Sequence, residues 1–180
     1  NKLLLDNIGE SYSRAIVTGG AGFIGSHVCE ELVHANIEVI SIDDFIAGKE
    51  KNIEHLFQYS NFKSVKCDIT DTKELPKYME GVDLIFHNAA AKKNVSMENP
   101  ARDLEVNTFG TYHLLELART NDVKKFIHAS SGSVYGEPII FPQDESHPLN
   151  PVSHYGVSKL AGEKYVTLFN KLFEMDTTVL

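Results

Sequence analysis

Tyr155 and Lys159 stand four positions apart in the run Tyr155-Gly156-Val157-Ser158-Lys159. On a helix that spacing sets the phenol and the ammonium on one face, one turn apart. A phenol ordinarily ionises near pH 10 and is a poor base at neutral pH. An ammonium beside it, joined by any cationic ring bound in the same place, favours the phenolate and brings it toward working range. Taken alone, the same spacing describes an ordinary pair on a helix surface. A second cluster of hydroxyls, Ser130, Ser131 and Ser133, follows the β-rich run Lys125–Ala129. At the carboxyl end of a strand, such hydroxyls point into the crevice where ligands bind in open α/β sheets. The cluster is not a nucleophile elbow, which needs Gly-x-Ser-x-Gly leading directly into a helix.

A third cluster says what such a crevice would hold. The run Ala15–Thr18 ends in glycines at every third position, Gly19, Gly22 and Gly25, and an amphipathic segment follows from Ser26. Strand, glycine turn and helix is the arrangement that packs backbone N–H groups against a pyrophosphate at a helix N-terminus, so a bound dinucleotide is expected. Asp43 lies eighteen positions after Gly25 at the end of Val39–Ile42. A carboxylate there can accept hydrogen bonds from the adenosine ribose, and it would repel a 2′-phosphate, favouring NAD over NADP. The plainer reading of Asp43 is a loop-start aspartate, with Asp44 sharing the position. Asp68 and Ile69 follow the third strand-like run and could receive the adenine, although Asp68 also reads as a turn or helix-cap aspartate before Thr70. Asn88-Ala89-Ala90-Ala91 offers side chains small enough for a ligand to lie against backbone, or is a loop of alanines with no ligand role. Lys92 could reach a cofactor or a substrate phosphate, while Lys93 reads as a solvated loop residue.

Those residues must be positioned by regular elements. Strand-like runs recur at Arg14–Thr18, Glu38–Ile42, Phe62–Cys67, Leu84–His87, Lys125–Ala129 and Thr177–Leu180. Helical patterns lie between them at Ile24–Ala35, a short one near Thr72–Met79, a long one near Ala101–Thr120, and Tyr155–Phe173. Val39-Ile40 and Phe126-Ile127 are continuously apolar, as expected of strands covered on both faces. The alternation predicts an α/β fold with a doubly wound parallel sheet and helices on both faces. The loop Gly136–Pro151 holds four of the six prolines and is expected over the carboxyl ends of the strands. The chain stops inside or just after the sixth strand, so the expectation is one domain over 1–180, without a further portion to cover a substrate.

Composition narrows the class. The chain has 180 residues, 42% hydrophobic and 23% charged, as in a soluble globular domain. A formal net charge of −8 argues against nucleic acid as a partner. No run reaches the length of a membrane span and the first residues do not read as a signal peptide, so a cytoplasmic protein is expected. Cys29 and Cys67 have no metal or redox spacing and read as buried reduced thiols. The eight histidines show no paired ligand spacing, so no metal is expected.

From Arg14 onward the chain resembles the extended short-chain dehydrogenase/reductase family, in its NAD-dependent sugar epimerase/dehydratase branch. Thr18-Gly19-Gly20-Ala21-Gly22-Phe23-Ile24-Gly25 is similar to the cofactor loop of that family, a resemblance that adds Phe23 and Ile24 to the residues expected to touch NAD. Asp43 is similar to its ribose carboxylate, Asp68-Ile69 to its adenine contact, and Asn88–Ala91, with Ala89 and Ala90, to its fourth-strand loop. Tyr155 and Lys159 resemble its catalytic pair, and Ser131, four residues before Tyr135, its catalytic hydroxyl. Lys92 aligns with a cofactor-contacting lysine of UDP-glucose 4-epimerases, and Asn107 with a structural asparagine. The resemblance implies a Rossmann domain, NAD as cofactor, a UDP-hexose or similar nucleotide-sugar as substrate, and a homodimer built on the helices near Ala101–Thr120 and Tyr155–Phe173. Gly132 and Ser133 stand where the 4,6-dehydratases have an acidic pair, and decarboxylases place a glutamate at the position of Ser133. The chain therefore looks more like a C4 epimerase. Tyr155 would take the proton of the sugar 4-hydroxyl, Ser131 would hydrogen-bond the same oxygen, and Lys159 would hold the nicotinamide ribose. Other readings are a reductase or dehydratase of the same branch, or an NAD-binding module without catalysis.

Overall fold

The computed structural model describes residues 8–180. Strand β1 (Arg14–Thr18) shows why the sheet is buried on both sides. Side chains alternate across a strand, and here both faces are apolar. Ile16 packs with Ile40, Ile85 and Phe126 in one core with Leu114, Leu115, Val166 and Phe169. Ala15 and Val17 join Val39 and Leu84 in a second core with Cys29, Leu32 and Val33. A strand serving two cores reads as a continuous apolar run rather than an alternating one.

The remaining elements follow in the expected order: α1 (Phe23–His34), β2 (Glu38–Asp43), β3 (Phe62–Lys66), β4 (Leu84–His87), α2 (Lys93–Glu98), α3 (Pro100–Leu104), α4 (Thr111–Thr120), β5 (Lys125–His128), α5 (His154–Phe173) and β6 (Thr177–Val179). The six strands form one sheet in the order β3-β2-β1-β4-β5-β6, and every pairing is parallel. Winding runs one way from β1 through β2 and β3, and the other way from β4. The switch between β1 and β4 opens a crevice at the carboxyl ends of the strands. This is the doubly wound sheet the sequence predicts. Among the described residues no helix is long and apolar enough to cross a membrane.

Two expectations change. The pattern near Thr72–Met79 forms turns and a 3₁₀ segment, Leu75–Tyr78, with Pro76 in its first turn. The long pattern near Ala101–Thr120 is not one α-helix. Asn99 caps α3, its Oδ1 accepting from Arg102 N at 3.2 Å, and a π-helical segment, Glu105–Gly110, separates α3 from α4. The widened turn carries Asn107 into the interior. Its two Nδ2 protons are shared among Ala91 O, Asp103 Oδ1 and Ser158 Oγ, and its Oδ1 accepts from Ala91 N at 2.8 Å. One polar side chain thus ties the fourth-strand loop to α3 and α5, where a buried unpaired amide would be costly. Helix α2 was not expected.

Cys29 and Cys67 are free and buried as predicted. Burial, the largest cause, pushes the thiols up to about 12 and about 11, so neither is a ready nucleophile.

Candidate active site

Between β1 and β2 the chain turns sharply. Gly19 takes a φ of +66°, and a side chain there would press on Ala89 N at 2.9 Å. A methyl group at Gly25 would overlap the Gly19 carbonyl oxygen, so α1 starts directly against the turn. Gly22 caps α1 without a side-chain hydrogen bond. The first intrahelical bond within reach is Ser26 N to Gly22 O, which leaves the N–H groups of Phe23, Ile24 and Gly25 directed out of the helix end. Free N–H groups with the helix dipole behind them suit a phosphate.

The turn forms one wall of a cleft of about 560 Å³. Gly19, Gly22, Phe23, Ile24, Gly25, Asp43, Asp68, Ile69, Ala89, Ala90, Lys92, Tyr155 and Lys159 all line it, so residues scattered through the sequence are brought together. Asp43 ends β2 and is buried. Its Oδ2 accepts from Ala21 N at 3.0 Å and its Oδ1 from Phe45 N at 2.8 Å. Each oxygen keeps lone-pair capacity for a ribose hydroxyl. Burial raises the Asp43 carboxyl above its ordinary range; the two N–H bonds and the charge of Lys92 act the other way. Asn88 Nδ2, buried and without a partner among the described residues, is a further donor on this wall. Glycine turn, helix end, carboxylate and bare amide together fit a dinucleotide.

Asp68 is engaged more fully than the sequence suggests. Its Oδ1 accepts from Thr70 N and Thr70 Oγ1, and its Oδ2 pairs with Arg102 Nη2. These bonds outweigh burial, and the carboxyl is held below its ordinary range. Arg102, from α3, also lines the cleft. Sequence reading missed it because α3 lies far along the chain from β3.

On the other wall stands α5. Ser153 caps it, accepting from Gly156 N at 3.1 Å, and this start fixes Tyr155 and Lys159 one turn apart. Tyr155 is half-buried, and its phenol oxygen takes no partner among the described residues. Lys159 is 2% exposed, and its Nζ donates to Ala129 O at 2.7 Å. Burial, the largest cause, pushes its ammonium down to about 8, while Glu163 and Asp103 act the other way. Ser130 lines the cleft, its Oγ donating to Glu163 Oε2 at 2.7 Å. Ser131 is outside the cleft lining. It follows β5, and its Oγ accepts from Ser133 N at 3.2 Å, leaving its own proton to donate. No group of three or more possible metal ligands occurs among the described residues.

The depressed lysine has a consequence for stability. Below pH 8 both folded and unfolded chains hold the Lys159 proton. Between about 8 and the ordinary 10.5 the unfolded chain holds it and the folded chain has released it, so this group makes stability rise with pH. The full swing is about 3 kcal/mol. Lys159→Met is expected to be more stable than the parent at pH 7, with the difference shrinking as pH rises through that window in urea unfolding. A difference flat with pH would contradict a desolvated ammonium.

Comparison with known proteins places this geometry. The family model described as "NAD dependent epimerase/dehydratase family" matches residues 15–180. A putative UDP-glucose 4-epimerase of Methanocaldococcus jannaschii is 42% identical over 170 residues, covering 92% of this chain and 53% of the relative. The chain therefore spans about half the length of the curated relatives it matches. A UDP-glucose 4-epimerase of Thermotoga maritima, solved with UDP-glucose, superposes with a TM-score of 0.85 at 35% identity, covering 92% of this chain and 54% of that one. The dTDP-glucose 4,6-dehydratase of Streptomyces venezuelae, solved with NAD, superposes with a TM-score of 0.86 at 32% identity over the same shares.

Proposed function

The chain belongs to the NAD-dependent epimerase/dehydratase family, and from that premise we propose that it supplies the cofactor-holding part and the proton-handling residues of a nucleotide-sugar C4 epimerase. The observation that carries the reading is the placement of Tyr155 and Lys159 in the same cleft as the glycine turn and Asp43. Bound NAD supplies a reversible hydride acceptor. The first-turn N–H groups of α1 bind its pyrophosphate, Asp43 its adenosine ribose, and Asp68 with Ile69 its adenine end. Tyr155, with the Lys159 ammonium one turn away stabilising negative charge on its oxygen, takes the proton of the sugar 4-hydroxyl and later returns it. Ser131, next to the cleft-lining Ser130 though outside the lining itself, keeps a hydroxyl proton that would donate to the same sugar oxygen once substrate is bound. Rotation of the 4-keto sugar between the two transfers exchanges the face that is reduced. Gly132 and Ser133 provide no carboxylate beside Ser131, which favours epimerisation over dehydration.

The test is direct. The purified protein is denatured and the supernatant assayed for NAD(H), and fresh protein is incubated with UDP-glucose. Released NAD together with UDP-galactose supports the reading; a 4-keto-6-deoxy product would replace it with dehydration. Cofactor choice is tested at Asp43. Replacing a charged acceptor for two hydroxyls by a neutral group costs about 2 kcal/mol, so Asp43→Asn is expected to bind NAD about 30-fold more weakly. It should also narrow the gap to NADP in paired titrations. Unchanged affinity for both would remove Asp43 from the site.

We further propose that two copies pair through the outer faces of α4 and α5. Tyr112, Tyr165, Leu168, Leu172 and Phe173 are exposed there, with Phe109 of the preceding π-helical segment beside them, a concentration of apolar surface unusual for a monomer. Leu172→Glu is expected to shift the sedimentation coefficient from dimer to monomer. A parent that already sediments as a monomer would refute the pairing. Reduced buried thiols accord with a cytoplasmic location.

A further inference from the structure

Behind the cleft wall lie four buried side chains that the reaction above does not use: Thr18, His87, Thr111 and His128. Their proton positions follow from their partners. Thr111 Oγ1 donates to Asn107 O at 2.8 Å, so it must accept from His87 Nε2 at 2.9 Å. His87 Nδ1 is then the bare nitrogen and accepts from Thr18 Oγ1 at 2.7 Å. Thr18 Oγ1 in turn accepts from Ala89 N at 3.2 Å. Burial, helped by the charge of Lys159, holds His87 down to about 3, in accord with a locked neutral ring.

His128 sits on the neighbouring strand, with its ring centroid 5.1 Å from that of His87. Its Nε2 lies 3.4 Å from Lys159 Nζ. An ammonium has three N–H donors and no lone pair, so the nitrogen facing it must be bare. The His128 proton is therefore on Nδ1, which is buried without a partner among the described residues. A lone buried N–H is an expensive arrangement. The same position filled by an apolar side chain would avoid it, but would give Lys159 no acceptor.

We propose that His128 is a positioning residue for Lys159. Its Nε2 and the Ala129 carbonyl take two of the three ammonium protons and leave the third for the cleft beside Tyr155. The proposal rests on the reading of Tyr155 and Lys159 given above. The carboxylates that act on Lys159 are occupied elsewhere: Glu163 accepts from Ser130, and Asp103 of α3 accepts from Ser96 and Asn107. The contacts on Nζ are thus neutral acceptors from β5 and the residue after it, with the half-buried Tyr155 phenol on the same helix. Two neutral acceptors fix the direction of the ammonium without the tight ion pair that would compete with a ligand. His128 itself stays neutral, its ring held far below the ordinary histidine range by burial first, then by the charge of Lys159.

The test needs no turnover. In ¹⁵N-labelled protein, long-range proton–nitrogen correlations are expected to place the His128 proton on Nδ1 and leave Nε2 bare, with His128→Gln identifying the signals by their loss. The Lys159 Cε signal in ¹³C-labelled protein is expected to titrate with a midpoint about 8. In His128→Phe, which keeps a ring but offers no acceptor, the midpoint should fall by about one pH unit, the worth of a hydrogen bond to a charged group. In His128→Gln, whose amide oxygen can accept, it should return close to the parent value. A filling role alone would lower the melting temperature without moving the midpoint. A proton on Nε2, or an unmoved midpoint in His128→Phe, overturns the proposal. If His128→Phe does not fold, the parent tautomer still decides. Correct tautomer and shift in a protein inactive on sugars would sink the epimerase reading and leave the His128–Lys159 link standing.

Discussion

Tyr155→Phe is expected to lower turnover of UDP-glucose about 1,000-fold while NAD stays bound at the parent stoichiometry. A positioned acid–base group contributes about 10²- to 10⁴-fold, and no other phenol, imidazole or carboxylate stands beside Lys159 with a free oxygen or nitrogen facing the cleft among the described residues. The change removes one half-buried oxygen that bonds no protein group, so the melting temperature should move little. Stopped-flow absorbance separates the outcomes, because loss of the base should also abolish transient appearance of reduced nicotinamide on mixing with sugar. Turnover within tenfold of the parent would assign the proton transfer to another group, with Ser131 the first to examine.

Gly25→Ala is expected to weaken NAD binding about 100-fold. The new methyl group meets the Gly19 carbonyl oxygen, which is backbone and cannot rotate aside as a side chain would. Either the turn opens or α1 retreats, and both displace the N–H groups of Phe23, Ile24 and Gly25 from a common focus. Losing two hydrogen bonds to a charged pyrophosphate costs about 3 kcal/mol, which corresponds to about 100-fold. Crowding adds about 1–3 kcal/mol to the cost in the apoprotein. Gly132→Ala is the control, since a methyl group there would have nothing within 4 Å. Calorimetric titration of both variants with NAD checks the contrast. Equal affinities would show that the close packing of α1 on the turn does not hold the cofactor.

Much of the cleft lining was legible because it is local. The glycine spacing after β1, Asp43 at the end of β2 and Ala89-Ala90 after β4 are each fixed within a few residues by strand ends and backbone sterics. Tyr155 and Lys159 are set by helix periodicity and the Ser153 cap. The strand runs were legible for the same reason: a chain segment covered on both faces must be apolar throughout, and its ends fall where polar and glycine residues resume.

What the sequence determined by itself is therefore the doubly wound sheet, the tight glycine turn after β1 and the one-turn spacing of the phenol and the ammonium, since each rests on interactions between near neighbours in the chain. Tertiary structure alone decided the rest. At the π-helical break in Ala101–Thr120, Asn107 reaches Ala91 and Ser158, from two distant segments. Arg102 joins Asp68 across thirty-four positions, and Ser130 rather than Ser131 lines the cleft. His128 reads as one more strand residue until β5 is laid against α5 and its Nε2 meets Lys159. Burial, hydrogen-bond partners and shifted pKa values are properties of packed neighbours, and packing between distant segments leaves no period or spacing in a single sequence.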